Sequence, residues 1–291
     1  MKVGITGASG FLGTAVQPTL RAAGHEVVRF VRSNPTGTDR LWDARTLAPD
    51  AVGDLQAVVH LSGAGVGDKR WSSSYRKQII DSRVDSTRAV AAAVARAGVP
   101  VLLSASGIGY YGPHGDEVLD ETAAAGSSYL ADVCVQWERA TAAAESGARV
   151  VHLRTGIVQA RTGGALAQQL PIFRAGFGAP LGTGRQWVSW ISLRDQLAAI
   201  VHLLTADVTG PVNLVSPHPV TNREYTKALG AAVHRPTLPI PVPAAVLRLG
   251  LGAFAGEIVS GQRVLPAVLE KSGFAFADAE LGSALTSALA D

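Results

Sequence analysis

An apolar run, MKVGITG, leads straight into ASGFLGTAVQPTLRAAG, a glycine-spaced turn that opens a helical pattern. No other feature constrains the fold of this chain as much. The glycines are Gly7, Gly10 and Gly13, in the spacing G-x-x-G-x-x-G. Gly7 permits a tight turn, Gly10 lets the backbone approach a pyrophosphate, and Gly13 lets the helix pack on its strand. The helix start, around Ser9, Gly10, Phe11 and Leu12, offers unpaired N–H groups and the positive end of the helix dipole to a phosphate. A glycine-rich turn with no ligand is the alternative.

The same strand-then-helix rhythm continues. HEVVRFVRS is a second strand and AVVHLSGA (57–64) another, followed by the helix SYRKQIIDSRVDSTRAVAAAVARAG. VPVLLSASG (99–107) is a strand, residues 129–146 a helix, and ARVVHLRTG (148–156) a strand. Short apolar runs alternating with helices predict right-handed crossovers and an α/β, doubly wound parallel sheet. After Gly156 the texture turns Gly-rich and irregular, and helices dominate from Pro217 onward. The expected division is a nucleotide-binding domain over 1–155 and a smaller, mainly helical substrate lobe over 156–291. Strands from about 185–215 are expected to complete the first domain.

Composition narrows the class. Hydrophobic residues make up 47% of the 291 and charged ones 17%, which excludes a disordered chain. No apolar run approaches the roughly 20 residues of a membrane span, and no leader pattern is present, so a soluble cytoplasmic protein with no membrane partner is expected. The single cysteine, Cys134, rules out an intrachain disulfide and a cysteine zinc cluster, and reads as a packed core residue rather than a nucleophile. No histidine pair has metal-ligand spacing, and no metal is expected. The net charge is only +3, without a run of Lys/Arg, so nucleic acid is not an expected partner. A small molecule is, and nothing sets the oligomeric state.

The second strand ends VVRFVRSN, with no Asp or Glu where NAD sites carry one to hold the ribose 2′-hydroxyl. Arg32 and Ser33 stand there instead. A guanidinium suits a 2′-phosphate because it donates two parallel hydrogen bonds, which points to NADP(H). An ordinary solvated charge is the other reading of Arg32. Arg29 reads as a surface residue, and Asp43 of WDA is a candidate for the adenine side.

Together GITGASGFLG, HLSGAGVGDKRW, DSRVDSTR, SASGIGYYG, VCVQWE, LRTGIV, GRQWVSWI and GQRVLPAVLEKSGF resemble an atypical, extended short-chain dehydrogenase/reductase. The chain is most similar to the NAD(P)-dependent epimerase-like family of the 39U group, and the similarity covers nearly its whole length. The resemblance implies a Rossmann domain that binds NADP(H) and a small C-terminal substrate lobe. It also implies cofactor contacts at Gly7, Gly10, Phe11, Leu12, Arg32, His60, Leu61 and Arg83. His60 departs from the asparagine expected at its position, while Leu61 and Ser62 can still offer backbone groups. Arg83 is either a second phosphate contact or a surface ion pair.

In the family mechanism a tyrosine phenol handles the proton, a serine holds the substrate oxygen, and a lysine lowers the tyrosine pKa from near 10. Ser106, at the end of a buried strand, is the candidate serine, with Ser104 nearer the nicotinamide; local turn satisfaction is the alternative for either. The tyrosine–lysine pair fails in both registers. Four residues after Tyr129 stands Val133, and anchoring on Glu138 puts Leu130 and Cys134 in the two positions. No lysine occurs between Lys77 and Lys227. Tyr110 and Tyr111 are candidate replacement acids or aromatic packing, and without an adjacent cation their pKa is expected to stay high. Val133, Cys134 and Trp137 are expected to be buried.

On the substrate side, Lys69, Arg70 and Trp71 form a candidate lid contact or a solvated loop. Arg185 and Trp187 suit a phosphate, carboxylate or flat ring. His114 and Asp116 receive no role. The expected function is an NADP(H)-binding oxidoreductase or epimerase-like enzyme of unidentified substrate. The alternative is an NADPH-sensing regulator without turnover.

Overall fold

The computed structural model describes residues 1–290. Its centre is a seven-stranded parallel sheet: β1 (Lys2–Thr6), β2 (Glu26–Val31), β3 (Arg40–Leu41), β4 (Ala57–His60), β5 (Val101–Gly107), β6 (Arg149–Thr155) and β7 (Gly210–Leu214). The spatial order is β7-β6-β5-β4-β1-β2-β3, and every pairing is parallel. The strand order therefore reverses between β1 and β4, and a ligand crevice opens at the carboxyl ends on either side of such a switch point.

The near-continuous apolar strands follow from burial on both faces. Val3, Ile5, Val59, Leu103 and Leu153 face one way, with α1 (Phe11–Ala22) residues Val16 and Leu20. Val28, Phe30, Val58, Leu102 and Val150 face the other, with Val90 and Val94 of α2 (Ser73–Ala97). Ser72 caps α2 by accepting from Tyr75 N, and Gly98 stops it in the left-handed conformation, φ 69°.

The helix expected over 129–146 is shorter. Ser128 caps α3 (Tyr129–Arg139) by accepting from Ala131 N. Beyond Arg139 the chain tightens into three-residue hydrogen bonds such as Thr141 N to Glu138 O and Ala144 N to Thr141 O. Thr141 Oγ1 also donates to Glu138 O, the local competition that favours turns over helix.

Of the strands expected from about 185–215, only β7 joins the central sheet. Trp187–Val188 pairs antiparallel with Val220–Thr221, and Trp190–Ser192 pairs parallel with Ile157–Gln159. These surround the second core, built on α4 (Gly164–Arg174), α6 (Asn222–Ala232) and α10 (Leu281–Ala290), while α5 (Leu193–Thr205) packs against α1. Short helices α7 (Ala244–Leu251), α8 (Phe254–Ser260) and α9 (Ala267–Lys271) complete the C-terminal region. Arg263–Val264 pairs with Val118–Leu119 and so ties that region to the loop after β5. Among the described residues, no helix is long and apolar enough to cross a membrane.

Candidate active site

The glycine turn has the geometry that its spacing predicts. Gly7 has φ 67°, and a Cβ there would sit 2.7 Å from the Leu61 backbone. A Cβ on Gly13 would overlap the Gly7 carbonyl oxygen, so this glycine is what lets α1 close onto β1. Gly10 differs: its Cβ would meet only Gly7 O, at 3.2 Å, and otherwise project into open space. Among the described residues, no side chain caps the α1 N-terminus, and its first turn has no acidic residue. Its first amides are thus left for an anion. The Phe11 ring packs against Gly163, so Phe11 offers the crevice its backbone rather than its ring. A diphosphate fits this cradle. Ser9 and Leu12 flank it, and Leu61 and Ser62 wall its far side.

Arg32 and Ser33 lie exposed where β2 ends, and Arg32 has no carboxylate partner among the described residues. Arg29, by contrast, is held by Asp39 through two hydrogen bonds. Asp43 folds back on its own loop, accepting from Arg45 N, Thr46 N and Thr46 Oγ1, and these bonds keep its carboxyl below the usual range.

Two residues assigned to the cofactor lie deeper than the sequence suggests. The His60 ring is fully buried between Thr6 Oγ1, 2.6 Å away, and Thr87 Oγ1, 2.9 Å away. Burial pushes its pKa down to about 3, so it is a neutral core residue and its side chain does not reach the crevice. Ser104, its neighbour on β5, is equally enclosed, and its Oγ has no hydrogen-bond partner among the described residues. Burial corrects the expectation for both side chains. Arg83 is also buried, yet is not a surface ion pair. Its guanidinium lies 4.7 Å from the Trp137 ring centre, donates to Ile79 O and presses against Gly63, just past β4. It has no carboxylate partner among the described residues.

The register of α3 is now decided. A Cβ on Gly109 would lie 3.0 Å from Leu130 Cβ and 3.9 Å from Cys134 Sγ. One helical row, Leu130, Cys134 and Glu138, therefore faces the end of β5. Tyr129 points elsewhere, donating to Arg76 O and meeting the Trp71 ring edge-on. Val133, Cys134 and Trp137 are buried, and burial raises the Cys134 thiol to about 11.

Glu138 organises what the row faces. Ser106 Oγ donates to its Oε1 at 2.7 Å, and Arg154 grips both of its oxygens at 2.8 Å. Arg154 also donates to the Tyr111 hydroxyl, which in turn donates to Asn213. Tyr111 is wholly enclosed and its phenol is pushed up to about 12 by burial, so it leaves the set of candidate acids. Tyr110 stays half-buried, with the Arg154 guanidinium 3.4 Å from its ring centre. The expectation of no adjacent cation is thereby corrected. Arg154 and Asn213 are not among the residues expected from the sequence. A charge inside the apolar run VVHLRTG was the available signal.

On the substrate side, Trp71 Nε1 donates to Val66 O and its ring stacks at 5.2 Å on Phe254 of α8. Lys69 lies 5.8 Å over Tyr75, and Arg70 lies against Gly252. Trp187 Nε1 donates to Asp116, so Asp116 orients that indole, and Arg263 stacks on its ring at 4.3 Å. Arg185 is exposed. Among the described residues, no group of three or more His, Cys, Asp or Glu is placed to hold a metal ion.

An open parallel sheet with a glycine turn at its switch point and a serine at the end of β5 defines a dinucleotide-fold protein of the short-chain dehydrogenase type. The NAD dependent epimerase/dehydratase family model matches residues 3–215, and the chain belongs to that family. A domain of unknown function, DUF1731, matches residues 242–288. An epimerase family protein of Mycobacterium tuberculosis is 45% identical over 289 residues, covering 97% of this chain and 96% of the relative. Human epimerase family protein SDR39U1 is 34% identical over 293 residues, 98% of each chain. The crystal structure of its isoform 2 with NADPH matches at TM-score 0.91 and 31% identity, covering 100% of both chains. A nucleoside-diphosphate sugar epimerase from Corynebacterium glutamicum matches at TM-score 0.83 and 33% identity, over 99% of this chain and 58% of the other.

Proposed function

We propose that this chain is an NADP(H)-binding oxidoreductase or epimerase-like enzyme acting on a small carbonyl or hydroxyl compound, free or nucleotide-linked, without a Tyr-x-x-x-Lys pair. The observation that carries it is the uncapped start of α1 beneath the Gly7–Gly10 turn, with Gly10 open to a ligand. The related human protein's structure with NADPH supports the cofactor assignment. The backbone around Gly7, Ser9, Gly10, Phe11, Leu12 and Gly13 would hold the diphosphate. Arg32 and Ser33 would hold the 2′-phosphate, while Leu61, Ser62 and Arg83 border the remainder. The bound nucleotide would supply hydride chemistry, and the protein would supply orientation and proton handling.

Ser106 carries the substrate oxygen in this reading. Its proton is committed to Glu138, so its remaining lone pairs accept from a substrate hydroxyl. Tyr110, half-buried beside Arg154, is the proposed phenol. Lys69, Arg70, Trp71, Arg185 and Trp187 are the proposed substrate contacts. Calorimetry on the purified protein tests the foundation: heat with NADPH and weaker heat with NADH is expected. No heat with either nucleotide at millimolar concentration sinks the reading.

A second reading, an NADPH sensor without turnover, is favoured by one observation. The positions that face the end of β5 hold Leu130 and Cys134, neither of which is a proton carrier at neutral pH. Absorbance at the nicotinamide band, followed with a panel of carbonyl compounds and sugar nucleotides, separates the two. Turnover abolished by Ser106→Ala marks an enzyme, and tight binding without turnover across the panel marks a sensor.

A further inference from the structure

Apart from Leu41 and Val118, the exposed large apolar side chains of this protein fall in the C-terminal region. Ile172, Phe177, Leu238, Ile240, Val246 and Leu249 are each at least 44% exposed, and all belong to the C-terminal lobe. Backbone hydrogen bonds join the segments that carry them. Phe177 N donates to Ile172 O, Leu238 N to Gly178 O, and Val242 N to Pro180 O. Pro243 then leads directly into α7, an eight-residue helix of sequence AAVLRLGL in which no residue is buried. Ile240 at 77% and Leu249 at 79% exposed protrude from the surface. Monomeric soluble proteins rarely leave a large contiguous apolar patch uncovered, and where one persists it marks a docking surface.

Charge indicates what covers it. Residues 161–194 and 225–256, the two segments that build the patch, contain no Asp or Glu at all. The charges beside the apolar side chains are arginines: Arg174 at the end of α4, Arg235, whose Nε donates to Arg174 O, and Arg248 within α7. None has a carboxylate partner among the described residues. A second copy of this chain would bring two sets of these arginines, and no Asp or Glu from either segment, into one interface. A protein partner needs a complementary hollow for each protruding side chain, whereas lipid moulds itself around them. Exposed apolar side chains interspersed with cations are the chemistry of an interfacial contact with anionic lipid.

We propose that this lobe docks on the surface of a bilayer containing anionic lipid, inserting Ile240 and Leu249 between headgroups that Arg174, Arg235 and Arg248 pair with. A surface contact is a different matter from a membrane span, and needs no spanning helix. The patch also adjoins the candidate substrate region: α7 ends at Gly252, against Arg70, and α8 begins with Phe254, on Trp71. Docking would bring the 65–71 loop to the lipid. The proposal is independent of nucleotide binding.

Co-sedimentation with vesicles tests it. The protein is expected to pellet with vesicles of phosphatidylcholine mixed with phosphatidylglycerol, to stay in solution with phosphatidylcholine alone, and to dissociate as salt rises. Arg174→Ala combined with Arg248→Ala is expected to weaken partitioning roughly 30-fold, since each basic residue near the surface contributes about 1 kcal/mol. Ile240→Glu with Leu249→Glu is expected to abolish it. Unchanged thermal unfolding midpoints in these variants show that folding is intact. Failure to pellet with the anionic vesicles overturns the proposal, as does equal pelleting with both vesicle types. A concentration-dependent dimer that the glutamate variant dissociates would assign the patch to a second copy instead.

Discussion

Arg154 on β6 meets Glu138 on α3 through two parallel hydrogen bonds of 2.8 Å, and neither side chain is more than 10% exposed. Ser106 donates to the same carboxylate, so the pair fixes the serine's rotamer as well as the helix-to-sheet contact. Breaking a buried pair from one side leaves an uncompensated charge, which costs about 3–5 kcal/mol. Glu138→Ala should therefore lower unfolding free energy by about that amount in a denaturant titration, because Arg154 stays buried. The double change Glu138→Leu with Arg154→Met should recover much of the loss. Equal destabilisation by the single and double variants would show that the pair is not coupled.

Gly10 and Gly13 separate folding from binding. A methyl group at Gly13 overlaps Gly7 O, whereas one at Gly10 meets only that oxygen, at 3.2 Å. Gly10 also has φ −77°, which alanine adopts freely. Gly13→Ala should cost several kcal/mol of stability, on the order of a severe overpacking. Gly10→Ala should leave the thermal midpoint nearly unchanged while weakening NADPH by about tenfold or more, because its methyl fills the space proposed for the diphosphate. A Gly10→Ala protein that binds NADPH normally would show that no diphosphate lies there.

In the proposed site, Arg32 would carry the choice between nucleotides. Among the described residues it has no carboxylate partner, which would leave its guanidinium available for a 2′-phosphate. Hydrogen bonds to a charged group contribute about 1.5–3 kcal/mol. Arg32→Ala should then weaken NADPH by roughly 10- to 100-fold, with little change for NADH, in parallel calorimetric titrations. An equal loss for both would remove the reason for assigning the phosphorylated cofactor.

The strands of the parallel sheet and the glycine turn were legible in the sequence because their signals are local. Strand runs such as AVVH and VLLSASG are apolar throughout, and Gly7 to Gly13 lie within one turn of chain. The α3 register was not legible. Tyr129 and Leu130 differ by about 100° around the helix, and only contacts with other elements, at Gly109 and Ser106, show which one faces β5. His60 illustrates the same limit. The family resemblance implies a cofactor contact there, but Thr6 and Thr87, distant in sequence, draw its ring into the core. Arg154 was hidden among apolar neighbours, since its partner Glu138 lies on a different element. The exposed face of α7 was equally invisible, because nothing within AAVLRLGL tells which of its apolar side chains a neighbouring element covers.

His60 also gives the protein a pH dependence of determined sign. Its ordinary value of 6.5 applies in the unfolded chain, and burial lowers it to about 3 in the native state. Above pH 6.5 both states carry a neutral ring, and the histidine has no effect on the slope. Between about 6.5 and 3 the unfolded chain holds a proton that the native protein excludes, so stability falls as pH falls, by up to about 1.4 kcal/mol per pH unit. His152, lowered by burial against the opposing pull of Glu138 and Glu145, acts in the same direction. Chemical denaturation at a series of pH values from 7 down to about 4 should show this decline. His60→Asn should start from a lower stability, since the Thr6 and Thr87 contacts change, but decline less steeply over the same range. Parallel slopes for the two proteins would mean that His60 titrates in the native state and that its enclosure between the two threonines is looser than described.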